Sequence, residues 1–347
     1  MKKVIAIILI FALVFTLAAC SGDDAPANAP SARENTRDNT PSVNEPVTNP
    51  PTPTVPEIYD DDDYYNYDDE EATDQAPPPA KEIDINLSKQ GITDERLAEL
   101  VESGEIPANV TKLRIWDNKI TDISPLSGLT NLTELRIANN NITDLSPLSE
   151  LPLETLSLGS NNFLEDLTPL AGMVTLENLE VNNCKVSDLS PLSGLPNLTR
   201  LVLSWNVDRS GGNITQAIDL TQLIDIPNLE NLILQYCYIT DMTPLVGIKS
   251  LRSLDLTGNT GIDISPLAEM TGLTALYMSS AGLTDISVLS NLTKLQFLDL
   301  NENEIKDFSP LFGFTELIVL SAKRGKNVFS QEQIDRILET SPGASIR

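Results

Sequence analysis

Ten leucines, Leu113, Leu135, Leu156, Leu179, Leu201, Leu232, Leu254, Leu276, Leu298 and Leu320, each open a short Leu-x-aliphatic run, and six of the nine spacings between them are 22 residues. A fixed period of this length marks a stack of like supersecondary units rather than a domain built around one centre. Leu-x-aliphatic alternation buries one face of a short strand and leaves the other free. No unit can bury its apolar face alone, so the core must come from stacking, each strand pairing in parallel with the next at ~4.8 Å. The composition agrees: apolar residues are 41 % of the chain but aromatics only 5 %, so the core must be mostly aliphatic.

Within each unit the other positions have physical roles. The chain must turn after the strand, and Asn118, Asn140, Asn161, Asn206, Asn259 and Asn303 mark that turn. Ser124-Pro125, Ser146-Pro147, Ser190-Pro191, Ser265-Pro266 and Ser309-Pro310 read as N-cap and first residue of a short helical or 3-10 turn. Asp122, Asp144, Asp188, Asp241, Asp263, Asp285 and Asp307 recur just before these pairs and are expected to satisfy backbone donors in the turn rather than to form a metal ladder. Leu129, Leu132 and their equivalents return the chain to the core. The ends need closing. Ile85-x-Leu87, with Gln90 and Ile92, reads as a first, irregular strand. Thr93 then caps a helix to about Ser103, with Leu97, Leu100 and Val101 on one face. Ser330-Gln331-Glu332-Gln333 is a capping box opening a second helix striped by Ile334, Ile337 and Leu338.

The pattern Leu-x-Leu-x-x-Asn-x-Ile-x-Asp-Leu-x-Pro-Leu-x-x-Leu-x-x-Leu is that of a leucine-rich repeat. Its 22-residue period and the segment Thr121-Asp-Ile-Ser-Pro-Leu126 resemble the internalin family of bacterial surface proteins over about residues 85–322. The resemblance implies an α/β solenoid: a parallel concave β-sheet, short helical or 3-10 turns on the convex side, and helices capping both ends. It also implies that the turn Asn is buried and bonded to the backbone of neighbouring turns. In this frame Cys184 and Cys237 take the Asn position of two units. With the Asn206 unit between them their Cα atoms are expected ~10 Å apart, beyond the ~7 Å reach of a disulfide. The chain departs from the family layout in lacking a C-terminal wall-sorting motif and an appended immunoglobulin-like module.

The N-terminus reads as an export signal. Met1-Lys2-Lys3 is a positive n-region and Val4–Leu17 is almost wholly apolar. At 16 residues, Val4–Ala19 is short of the ~20 a membrane span needs. Leu17-Ala18-Ala19-Cys20 resembles a bacterial lipobox, which implies cleavage before Cys20 and a diacylglyceryl thioether on its sulfur. Two acyl chains suffice for stable anchoring. Residues 21–80 are rich in Pro, Asn, Thr and Asp, and Glu57–Asp74 carries ten acidic residues and no basic one. Such a stretch cannot repay the entropy of folding and reads as a disordered spacer. The expected organisation is a signal peptide at 1–19, lipidated Cys and tether at 20–80, an N-terminal cap at 81–112, repeats at 113–322 and a C-terminal cap at 323–347.

Charge and residue types narrow the function. With 23 Lys and Arg against 50 Asp and Glu, the net charge of −27 repels nucleic acid. With no His there is no Ser-His-Asp triad, Cys-His pair or His-ligated zinc site. Carboxylate pairs such as Asp299 and Glu302 exist, but an open repeat surface implies no pocket, and the chain reads as a binding protein without enzymatic activity, cofactor or metal. The free face of the sheet is formed by residues one before and one, three and four after each first Leu. Trp116, Trp205, Tyr236, Tyr277 and Phe297 lie among these forty positions. An even spread of the eleven aromatics of 81–347 would place about 1.6 there. Exposed aromatics are typical interface anchors. Trp205 and Tyr236 share a column on adjacent strands, so their rings should lie side by side. The unit opened by Leu201 is nine residues too long, the excess lying within Val207–Thr215, and Asp208 and Arg209 of this insertion are candidate binding residues, since repeat insertions map to loops. The expected role is that of an extracytoplasmic, lipid-anchored surface protein, on a cell membrane or outer membrane, binding a protein partner through the concave face. Alternatively, the aromatic row stacks on sugar rings of wall glycan.

Overall fold

The computed structural model describes residues 82–206 and 218–347. The export signal, Cys20, the tether and the insertion with Asp208 and Arg209 lie outside the described residues.

The alternation is realised as short strands, each of three residues except the last: β1 (Asp84–Asn86), β2 (Lys112–Arg114), β3 (Glu134–Arg136), β4 (Thr155–Ser157), β5 (Asn178–Glu180), β6 (Arg200–Val202), β7 (Asn231–Ile233), β8 (Ser253–Asp255), β9 (Ala275–Tyr277), β10 (Phe297–Asp299), β11 (Val319–Ser321) and β12 (Ser345–Ile346). They form one parallel sheet in chain order. The register follows the repeat: Leu113 pairs with Leu135, Leu135 with Leu156, and so on to Leu298 with Leu320. All ten leucines are at most 1 % exposed. Insertion of residues into the unit of Leu201 does not shift the ladder, because Leu201 still faces Leu232. Ile85 pairs with Leu113, which makes β1 a true first strand. The two-residue β12 has no counterpart in the sequence pattern, which is too short there to show alternation; it pairs Ile346 with Leu320.

The turn asparagines are buried and bonded as the resemblance implies. Asn259 is fully buried, donates to the carbonyls of Leu256 (2.8 Å) and Leu234 (2.8 Å), and accepts from Cys237 N (3.1 Å) and Ile239 N (3.0 Å). Asn303 repeats this with Leu300, Met278, Ala281 and Leu283. Asn140, Asn161 and Asn206 follow the same scheme, while Asn118, in the outermost of these turns, is only half-buried. One side chain thus serves its own turn and the one before it. The structure adds Asn327, displaced from the repeat frame, which donates to Leu300 and Ala322 and accepts from Ile305 N. Cys184 and Cys237 are free and buried in ladder positions, their Sγ atoms directed at backbone carbonyls. Burial pushes both thiols up to about 12.

The 3-10 turns form where expected, but with a different cap. Ser124 is the first helical residue, not the N-cap, and Asp122 Oδ1 accepts its N–H at 2.8 Å. The same bond joins Asp144 to Ser146, Asp188 to Ser190, Asp241 to Thr243, Asp263 to Ser265, Asp285 to Ser287 and Asp307 to Ser309. A carboxylate two residues upstream reaches the orphan donor as an Asx turn, and the ladder of aspartates is a row of local caps. Two helices lie near the ends of the strand order. In α1 (Asp94–Glu102), Thr93 accepts from Arg96 N and Leu97 and Leu100 are buried. In α2 (Gln331–Thr340), the Ser330–Gln333 capping box closes in both directions and Ile334 and Ile337 are buried, with Leu338 half-exposed.

Asn259→Ala leaves the N–H groups of Cys237 and Ile239 and two carbonyls without this partner. It should destabilise the domain by about 2–4 kcal/mol, read as a lower midpoint in denaturant unfolding, and Asn118→Ala by clearly less.

Candidate functional site

Because each of β2–β11 is three residues long with its central leucine buried, the two flanking residues stand on the opposite face. The residues that follow continue that face into the turn. The fourth residue after each leucine from Leu113 to Leu298 is forced into the left-handed region: Asp117, Asn139, Ser160, Asn183, Trp205, Tyr236, Gly258, Ser280 and Glu302 all have φ between +53° and +77°. Asn, Asp and Gly suit such a position, whereas bulky residues there are strained. Trp205 and Tyr236 occupy it on adjacent units.

The two rings stack, centroids 4.3 Å apart and planes 20° apart. Trp205 is 38 % exposed and Tyr236 half-buried. The next residue in the column is Gly258, where a Cβ would collide with Cδ1 and Cε1 of Tyr236. Tyr236 is therefore held between the Trp205 ring and a glycine backbone. Sequence reasoning found the two aromatics and missed the glycine; the signal was a Gly in the same column one unit on.

The other aromatics are spread along the sheet. Tyr277 on β9 pairs with Asp255 on β8 and Asp299 on β10, and Phe297 stands at the start of β10. Trp116 follows β2, four strand spacings from β6 or about 19 Å, with Lys89 Nζ 4.6 Å from its ring centroid. The five therefore do not form one cluster; Trp205 and Tyr236 do. Beside them Val202 and Ile233 are nearly buried although they stand on the free face.

The charged residues on this face differ between its ends. At β1–β3, Arg114 pairs with Asp84 at 2.8 Å, Arg136 with Glu134 at 2.6 Å, and Lys112 with Glu82. At β5–β6, Arg200 pairs with Glu180 at 2.6 Å. Further on stand Asp255, 4 % exposed, and Asp299, half-buried. Asp255 accepts from the Gln235 amide at 2.6 Å and Thr257 N–H at 2.9 Å, and Asp299 accepts from Asn301 N–H at 2.9 Å. Burial pushes both carboxyls above the usual carboxylate range against the pull of these bonds. A cavity of about 560 Å³ lies away from the sheet, between the turn at Lys306–Ser309 and the start of α2.

Comparison with known proteins places this geometry. The leucine-rich repeat family, described as two copies of the repeat, matches residues 108–150, 227–269 and 271–313. An internalin of Listeria monocytogenes is 30 % identical, over 69 % of this chain and 74 % of that one, with a TM-score of 0.51. Internalin C2 of the same organism is 25 % identical over 69 % of this chain and 79 % of its own, with a TM-score of 0.33. The leucine-rich repeat ectodomain of a plant membrane receptor kinase from Arabidopsis thaliana, solved in complex with Casparian strip integrity factor 2, is 23 % identical over 72 % of this chain and 33 % of its own, with a TM-score of 0.50. No curated protein matches the chain. The fold is that of a leucine-rich repeat protein. The chain belongs to the internalin family. Among the described residues no helix is long and apolar enough to cross a membrane.

Gly258→Ala should drive the Tyr236 ring off its seat. The near-ultraviolet circular dichroism of the Trp205–Tyr236 pair should collapse while the far-ultraviolet spectrum is retained; an unchanged near-ultraviolet spectrum would show that the glycine does not hold the stack.

Proposed function

We propose that this chain is a surface lipoprotein, anchored through a diacylglyceryl group on Cys20, spaced from the membrane by residues 21–80, and binding a protein partner through the concave face of its repeat sheet. The observation that carries the reading is the Trp205–Tyr236 stack. Two large rings sit at consecutive positions of a column whose backbone geometry favours Asn or Gly, and one ring is seated on a glycine. Burial in the core cannot account for Trp205, which stands on the solvent side. A rigid aromatic pair offers contact area at low entropic cost, as interface anchors do. Membership of the internalin family supports a role in protein binding, and the plant receptor kinase ectodomain solved with Casparian strip integrity factor 2 has the same fold. Trp116, Tyr277 and Phe297 extend the surface along the sheet, and the insertion with Asp208 and Arg209 follows directly on Trp205 and Asn206.

A photo-crosslinking residue at position 205 on intact cells should capture one dominant protein. Trp205→Ala should then weaken that purified complex by ~2 kcal/mol or more, about thirtyfold in Kd. Capture of protein-free wall material instead would move the reading to a glycan ligand, and unchanged affinity would remove the anchor. For the anchor to the membrane, Cys20→Ser should shift the protein from the membrane fraction to the soluble fraction; retention on membranes would refute lipidation at this residue.

A further inference from the structure

The sheet begins at β1 with a rung built like those inside the stack. Lys89, four residues after Ile85, is left-handed with φ +59°, as Asp117 is after Leu113. Yet one neighbour is missing: among the described residues β1 pairs with β2 alone. The cost shows in the core layer. Ile85 and Leu87 are only half-buried, whereas their counterparts Leu113 and Ile115 on the next rung are 0 % exposed. Ile83 is half-buried as well, and all three pack against the core as its outermost layer.

The backbone is unfinished at the same edge. Along a parallel strand, successive residues turn their N–H and C=O to opposite neighbours. Ile83 O accepts from Lys112 N at 3.0 Å and Leu87 N donates to Arg114 O at 2.7 Å, so the odd-numbered residues serve β2. The N–H and C=O groups of Asp84 and Asn86 therefore point to the open edge. Ser88, next in that series, has its N–H held by Asn86 Oδ1 at 3.1 Å. Its Oγ is the one buried side-chain polar atom without a hydrogen-bond partner among the described residues. An open edge is a template for another strand.

The side chains select that strand. In an antiparallel pair with β1 of a second copy, about a two-fold axis at Ile85, Asp84 faces the partner's Asn86 and exchanges both backbone bonds with it. Ile85 meets the partner's Ile85 and Ile83 meets the partner's Leu87, which covers the half-open apolar layer. Asn86, whose Oδ1 is held by Ser88, presents its amide NH2 to the carboxylate of the partner's Asp84. Glu82 faces the partner's Ser88, so no carboxylate faces another. An axis centred on Asp84 would set that carboxylate against its own copy, which is destabilising. One centred on Asn86 would set Ile83 against Lys89.

We propose that two copies of this chain join end to end through β1, antiparallel about Ile85, as a closed two-fold dimer. The axis crosses the sheet, so both concave faces open to the same side and stay uncovered. The inference goes beyond the binding role proposed above and does not rest on it; joined to it, the dimer presents the aromatic anchor twice, and a ligand carried in two copies is met by both.

The test is sedimentation equilibrium on the full chain. The wild type should show a concentration-dependent monomer–dimer equilibrium. Asn86→Asp keeps the oxygen that caps Ser88 N–H but sets a carboxylate against Asp84 on both sides of the axis, and should weaken association at least tenfold with an unchanged far-ultraviolet spectrum. The exchange Asp84→Asn with Asn86→Asp restores the acid–amide pair and should restore the dimer. Oxidised Ile85→Cys should form a disulfide-linked dimer, because facing Cα atoms at a non-hydrogen-bonded antiparallel pair lie about 4.5 Å apart. Ile83→Cys, facing the partner's Leu87, should not. A chain that stays monomeric at hundreds of micromolar, a dimer indifferent to Asn86→Asp, an exchange variant that does not recover, or an open-ended series of larger species from β12 pairing on β1 would each overturn the proposal.

Discussion

The whole structure depends on how the chain leaves each strand. Three residues of strand are too few to hold a sheet by their own ladder, and the turn that follows exposes backbone donors and acceptors to an apolar interior. A buried amide resolves both problems. Asn259 bonds to its own turn at Leu256 and to the preceding turn at Leu234, Cys237 and Ile239, so one side chain closes a turn and welds it to its neighbour. With the welds in place, the leucines fall into register automatically and one continuous, mostly aliphatic core results. Few aromatics then suffice, and Phe308 and Phe314 are fully buried in a core otherwise built mainly of Leu, Ile and Val.

The same turn creates the surface. To bring the amide inward the chain passes through a left-handed residue just before it, and the side chain of that residue is thrown to the open side. Most units place a small or polar residue there. Two place tryptophan and tyrosine, accepting local backbone strain, and a third supplies the glycine on which the tyrosine rests. The surface is thus a by-product of the core's own chemistry, modified at a few columns while the buried positions are left alone.

Much of this is readable in the sequence. Leu113 to Leu320 fix the register of β2–β11 because a period of 22 admits only one stacking, and the pairing of the Trp205 and Tyr236 rings follows from their shared column. The Ser330 box and the Thr93 cap are legible because each uses a side chain at a fixed offset from a helix start. What escaped has a physical reason in each case. β12 is two residues long and so has no alternation. Asn327 performs the ladder function from a shifted frame. Gly258 has no side chain to advertise its contact with Tyr236. The Ser-Pro pairs resemble an N-cap, but Asp122 and its counterparts, two residues upstream, hold the donors. Asp255 reads as an ordinary charged surface residue until its 4 % exposure is known.

The amide ladder is not uniform. Cys184, Cys237 and Ala281 stand where an asparagine would, so the rungs on either side of Asn206 and on the far side of Asn259 lack the strongest weld. Thiol and methyl groups fill the space but offer no oxygen to the turn before them. The weaker rungs of the ladder are therefore those at Cys184, Cys237 and Ala281. These rungs fall in the stretch that carries Trp205, Tyr236 and Asp255, so the part of the open face with the least usual side chains is also the part whose turns are joined by the fewest side-chain oxygens.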